Sequence, residues 1–130
     1  MGKGRLFPGL FAMYLLAAVL PTAAHHGWLV DRANEVTLKG TVTSFSFSNP
    51  HMRVYFDVKE ANGNIEKWVG EGGSANLLSR MGWNSDTLKP GDEITATGFR
   101  FRNSSNNVLL QELISPRGRA VWAGNKNRLR

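Results

Sequence analysis

Glu35-Val36-Thr37-Leu38-Lys39-Gly40-Thr41-Val42-Thr43-Ser44-Phe45-Ser46-Phe47-Ser48 is more than twice the length of an ordinary strand, and its apolar residues still keep a strand's rhythm. Val36, Leu38, Gly40 and Val42 alternate with polar residues, the period-two pattern of a half-buried strand. The phase then slips, because Phe45 and Phe47 occupy odd positions. One inserted residue turns the apolar side of a strand over, so a bulge is expected near Thr43-Ser44, with Gly40 permitting a sharp bend. A strand that changes face part-way can serve both halves of a small barrel.

The residues downstream supply the rest of that barrel. Asn49-Pro50 interrupts the ladder, since proline donates no backbone hydrogen bond. A second strand is expected over 51–59, with Met52, Val54, Phe56 and Val58 on one face and His51, Arg53, Tyr55 and Asp57 on the other. Asn62-Gly63 predicts a type I′ hairpin turn into a third strand, 65–71, which carries Trp68. After Gly72-Gly73, Ser74 caps a short helix through Leu77, Leu78 and Met81, with Gly82 as its left-handed stop. Leu88-Lys89-Pro90-Gly91-Asp92 turns into a fourth strand, 93–102, with Ile94, Ala96 and Gly98 on one face. A polar loop, 103–107, leads to a fifth, 108–115. Beyond Pro116 there is a brief apolar Ala120-Val121-Trp122. Three strands, a short helix and two more strands, led by a long bent strand, make an all-β fold with one short helix, an OB-fold-like five-stranded barrel. The alternative is a five- or six-stranded sandwich.

Upstream, Lys3 and Arg5 precede an apolar run from Leu10 to Leu20 and then Pro21-Thr22-Ala23-Ala24, the parts of a secretory signal peptide. Pro8 and Pro21 confine that run to fewer than the roughly 20 apolar residues a membrane-spanning helix needs. Residues 1–24 are therefore expected to be removed, leaving a periplasmic or secreted chain with no membrane span. Its parts are an OB-like domain over 25–123 and a flexible basic tail over 124–130. Losing Lys3 and Arg5 lowers the net charge from +6 to +4, and Lys126, Arg128 and Arg130 hold much of the remaining excess. So weakly basic a body is expected not to bind nucleic acid. With no cysteine there is no disulfide and no thiolate metal site.

The expected cleavage after Ala24 leaves His25-His26-Gly27-Trp28 at the N-terminus. The freed α-amine and the imidazoles of His25 and His26 then lie within two residues, and His51 is the only other histidine. An α-amine has a reference pKa of about 7.7–8.0, so part of it is unprotonated near neutrality, and such a nitrogen set suits tetragonal Cu(II). The site read from the sequence is His25 (amine and ring), His51 (second ring) and His26, with Tyr55 as a neighbour behind His51. Any chain beginning Xaa-His also chelates Cu(II) without a fold. Zinc is the second metal, with Asp57 or Glu71 as an added oxygen ligand. A metal-free alternative uses the face of strands two and three, Arg53 and Tyr55 with Glu66 and Trp68, to bind a protein or envelope partner. No nucleophile motif, phosphate loop or carboxylate pair is present, so the chain is read as a binding protein, not an enzyme.

Taken together, Ala-His-His after the signal, Val-Thr-Leu-Lys-Gly-Thr-Val at 36–42, Asn-Pro-His at 49–51, Gly-Trp at 82–83 and Leu-Lys-Pro-Gly-Asp at 88–92 resemble the small exported bacterial proteins grouped as domain of unknown function 6152. The likeness covers nearly all of the mature chain. It implies a periplasmic OB-like barrel in which His25, His26 and His51 are the family-type positions, and it implies no activity. The chain departs from the pattern at Trp68-Val69-Gly70-Glu71-Gly72-Gly73, where a longer side chain at 70 and a proline after the glycines are expected.

Overall fold

The computed structural model describes Gly2 and residues 29–121. The expected signal peptide, His25, His26 and the basic tail lie outside these residues. In chain order the elements are β1 (Val30–Ser46), β2 (Arg53–Lys59), β3 (Ile65–Glu71), α1 (Ala75–Arg80), β4 (Glu93–Phe101), β5 (Asn107–Ser115) and β6 (Gly118–Val121). The sheet order is β3-β2-β1-β4-β5-β6, and a parallel pairing of β3 with β5 closes five of the strands into a ring. This is the OB-like barrel, nearly all β with one short helix. β6 is an additional strand, laid antiparallel on the outer edge of β5.

β1 is organised as its periodicity predicts. It pairs with β4 through Thr41↔Glu93 and with β2 from Thr41↔Asp57 onward, so it passes from one half of the ring to the other at Thr41. Its register against β2 shifts between Val42 and Ser44, which is the expected bulge. Gly40 lies beside that crossing, and a Cβ there would come within 2.6 Å of Phe56 Cδ2 and 2.7 Å of the Asp57 carbonyl oxygen. The strand starts earlier than expected, at Val30, through a second irregularity: 31–34 stand opposite a single β4 residue, between Val30↔Phe101 and Glu35↔Phe99. Asp31 holds this kink by accepting from the Ala33 N–H at 3.1 Å and from Asn34 Nδ2 at 2.8 Å.

The β2–β3 connection is not the expected type I′ turn. No residue other than glycine has positive φ among the described residues, and Gly63 alone takes φ +90°. The Gly63 N–H donates to the Glu60 carbonyl at 2.9 Å and the Glu60 N–H to the Asn64 carbonyl at 2.8 Å. This is a three-residue loop that ends in a left-handed glycine. It sets the register Phe56↔Trp68 and Val54↔Gly70.

The core follows. Met52, Val54, Phe56, Trp68, Leu78, Leu110 and Leu113 are fully buried, and Val36, Leu38, Phe45 and Phe47 pack against them. Helix α1 seals one end of the barrel with Leu78. Ser74 caps it, its Oγ accepting from the Leu77 N–H at 3.1 Å, and Gly82 follows with φ +84°. Among the described residues no helix is long and apolar enough to cross a membrane.

Candidate functional site

His51 sits in the β1–β2 loop, and hydrogen bonds to two other segments hold that loop in place. Ser48 Oγ donates to the His51 carbonyl at 3.1 Å, and the Ala75 N–H, at the start of α1, donates to the Ser48 carbonyl at 3.1 Å. Asn49 and Asn76 are joined twice: the Asn76 N–H donates to Asn49 Oδ1 at 3.2 Å and Asn49 Nδ2 donates to Asn76 Oδ1 at 3.4 Å. Just past the histidine, the Met52 N–H donates to the Gly73 carbonyl at 2.8 Å and the Gly72 N–H to the Met52 carbonyl at 3.1 Å. Met52 is fully buried and His51 half-buried, so the two neighbours point apart as the alternation predicts.

Among the described residues, the other predicted ligands are not gathered around His51. His25 and His26 fall outside the described residues. The Leu29 carbonyl, just before β1, accepts from the Arg102 N–H at 2.8 Å at the β4–β5 loop. Asp57 lies six residues along the strand from His51, about 20 Å of backbone rise, and faces Lys67 at 3.8 Å. Glu71 is nearer, across the β2–β3 pair, and accepts from Arg53 Nη2 at 3.2 Å. Tyr55 shares the His51 side of the chain, but Arg53 stands between them. Among the described residues no three His, Asp or Glu side chains converge.

The alternative partner face is corrected in one member. Arg53 and Tyr55 are exposed on the outer face of β2, whereas Trp68 is 1% exposed and belongs to the core opposite Phe56. Trp68 Nε1 donates to Glu66 Oε2 at 3.0 Å, and the Arg100 guanidinium lies 4.7 Å from the centre of the indole ring. The true neighbours of Tyr55 are Ser44 and Val69.

Two surface features went unread in the sequence. One is a groove of about 650 Å³ between the β2–β3 hairpin and the outer side of β1, β4 and β5, with Lys39, Lys59, Ile65 and Ile114 in its lining. Its signal was two isoleucines out of phase with the core pattern, 55% and 43% exposed. The other is a polar hollow of about 740 Å³ at the β4–β5 loop, lined by Asp31, Arg100, Arg102 and Ser104 among others. The hydrogen bond from the Asn34 side chain, then that from the Ala33 N–H, holds the Asp31 carboxyl below its usual range.

The profile of the family of unknown function DUF6152 matches residues 13–110. The chain belongs to DUF6152. No curated protein matches this DUF6152 chain. Among solved structures it is similar to the mitochondrial single-stranded DNA-binding protein Rim1 of S. cerevisiae, at 4% identity and TM-score 0.49 over 65% of this chain and 95% of that one. It is also similar to the N-terminal domain of PriB from Thermoanaerobacter tencongensis, at 18% identity and TM-score 0.47 over 64% and 96%. A third is a small single-stranded DNA-binding protein from Streptomyces coelicolor, at 14% identity and TM-score 0.43 over 63% and 90%.

These likenesses describe fold. They do correct one expectation, the exclusion of nucleic acid on grounds of charge. Two of the three are by description single-stranded DNA-binding proteins, so nucleic acid is a ligand class found among chains similar in fold to this one, and it is not excluded here. What those proteins bind remains a property of theirs.

Proposed function

We propose that this DUF6152 protein is an exported binding protein that carries, hands over or senses copper at its processed N-terminus, in the periplasm or outside the cell. His25 supplies the amine and one ring nitrogen, His51 a second ring and His26 a further nitrogen. Zinc is the second metal for the same residues. The observation that carries the reading is the bracing of the β1–β2 loop against α1, which presents His51 from a scaffold instead of a free loop. A ligand on a fixed element loses less freedom on binding than one on a mobile segment. What the residues would supply is a nitrogen-rich set that favours Cu(II) over other divalent first-row ions.

Acetylating the α-amine of His25 tests the role of the terminus, because it removes the amine ligand and leaves both rings in place. Isothermal titration with Cu(II) is expected to show at least about a tenfold loss of affinity, the effect of about 1.4 kcal/mol. An affinity unchanged by acetylation would overturn the reading.

A second, metal-free reading is favoured by the outer face of β2, where Tyr55 is 38% exposed next to Arg53. It takes this face as the docking surface for a protein or envelope partner. Tyr55→Ala would then abolish capture of the partner, with metal binding unaffected.

A further inference from the structure

The pairing of β4 with β1 does not stop at Phe101. The Arg102 N–H donates to the Leu29 carbonyl at 2.8 Å, one step beyond the Val30↔Phe101 pair, so the extended chain runs on through Arg102. Side chains two positions apart on an extended chain leave on the same side, about 7 Å from each other, and here they are Arg100 and Arg102, both exposed. The loop that follows curls back toward them: the Ser104 N–H donates to the Phe101 carbonyl at 3.5 Å, and Arg100 Nη1 to the Ser105 carbonyl at 3.4 Å. With Asp31 and Asn103 these residues line the polar hollow of about 740 Å³.

Its charges are arranged unlike those elsewhere on the barrel. Arg53, Lys67, Lys89, Arg117 and Arg119 each meet a carboxylate. Among the described residues Arg100 and Arg102 form no ion pair, although Arg102 is near enough to Asp31 to help lower its pKa. The Arg100 guanidinium rests on the Trp68 ring and gives one long hydrogen bond to Ser105, which leaves most of its N–H donors over. The Ser104 and Ser105 hydroxyls donate to no described residue. Asp31, the opposing charge, accepts from the Ala33 N–H and the Asn34 side chain. We propose that this hollow binds a phosphate group, held between Arg100 and Arg102 with the two serine hydroxyls as further donors. A planar guanidinium matches phosphate oxygens with paired N–H donors, and two guanidiniums against one carboxylate leave the hollow net positive. Trp68 lies beneath Arg100 and is 1% exposed, so it offers no open ring for a base to stack on. The site therefore takes the phosphate group itself and not a nucleic-acid strand. No histidine takes part, so the proposal is independent of the copper reading.

The test is a proton–nitrogen NMR titration of the metal-free mature chain with inorganic phosphate, against chloride at equal ionic strength. Saturable shifts are expected at the backbone amides of 100–105 and at the indole N–H of Trp68, which lies under Arg100. Arg102→Gln keeps the backbone bond to Leu29 and is expected to weaken binding by about tenfold or more, as is Arg100→Gln. The spectrum of each variant also shows that it is folded. Arg80→Gln, which removes an exposed cation at the end of α1, is expected to leave the affinity unchanged. Glycerol phosphate, titrated alongside, separates the two sources of the group: affinity equal to that for phosphate means that the site accepts an ester, and a loss means that it takes the free ion. No saturable shift with phosphate, or a loss in Arg80→Gln as large as in Arg102→Gln, overturns the proposal. So does a thymidine oligonucleotide that binds more than about tenfold tighter than phosphate and loses that affinity in Arg102→Gln, since the ligand is then a strand.

Discussion

At the scale of single residues, two glycines determine how closely the strands of this barrel approach. Gly40 is legible as a bend, but that its missing Cβ makes room for Phe56 and the Asp57 carbonyl depends on how β1 lies against β2 and is not visible in one strand's sequence. At Gly98, beside the β4–β5 register shift, a Cβ would sit 2.0 Å from the Leu109 carbonyl oxygen. Backbone cannot move aside as a flexible side-chain tip can. Gly40→Ala is therefore expected to lower stability by about 1–3 kcal/mol, and Gly98→Ala by at least as much. Urea unfolding followed by tryptophan fluorescence measures both. A Gly98→Ala protein as stable as wild type would show that the two strands are not as close as described.

Among the elements, Asp92 links the turn that opens β4 to the β5–β6 turn. Its Oδ2 accepts from the Lys89 N–H at 2.7 Å and from the Arg117 guanidinium, which also reaches the Thr87 carbonyl at 3.0 Å. The hydrogen bond from the Lys89 N–H, followed by the hydrogen bond and charge of Arg117, holds the Asp92 carboxyl below its ordinary value of 3.8. A carboxyl depressed by folding contributes stability above its unfolded pKa and loses it as pH falls through the folded value. Wild type is thus expected to be more stable than Asp92→Asn at about pH 6, with the gap closing at about pH 3. A gap of equal size at both pH values would show that the contribution is packing and not charge.

The elements also show where the sequence could be read. The bulge in β1, the cap at Ser74, the stop at Gly82 and the buried faces of β2 and β4 all follow from period and local chemistry, which sequence displays directly. The face of Trp68 did not follow, and the cause is a single residue. A two-residue turn at Asn62-Gly63 pairs Trp68 with Asp57, which puts the indole outside with Arg53 and Tyr55. The three-residue loop actually formed pairs it with Phe56 and turns it into the core. Asn-Gly fits either loop, and only the packing of the whole barrel chooses. The site was legible to a smaller degree. His51 could be placed on its side of the chain, but the bracing of its loop by Asn76 and Gly73 joins residues more than 20 positions apart in sequence.

For the whole molecule, the barrel's part in the proposed function is the braced β1–β2 loop that bears His51. The most direct measurement is the electron paramagnetic resonance spectrum of Cu(II) bound to the protein that begins at His25, beside its His51→Ala variant. If the barrel builds the site, removing His51 changes the nitrogen hyperfine pattern and weakens binding. If the two spectra and affinities are the same, copper is held by the terminal His25-His26 chelate alone and the barrel has no part in it.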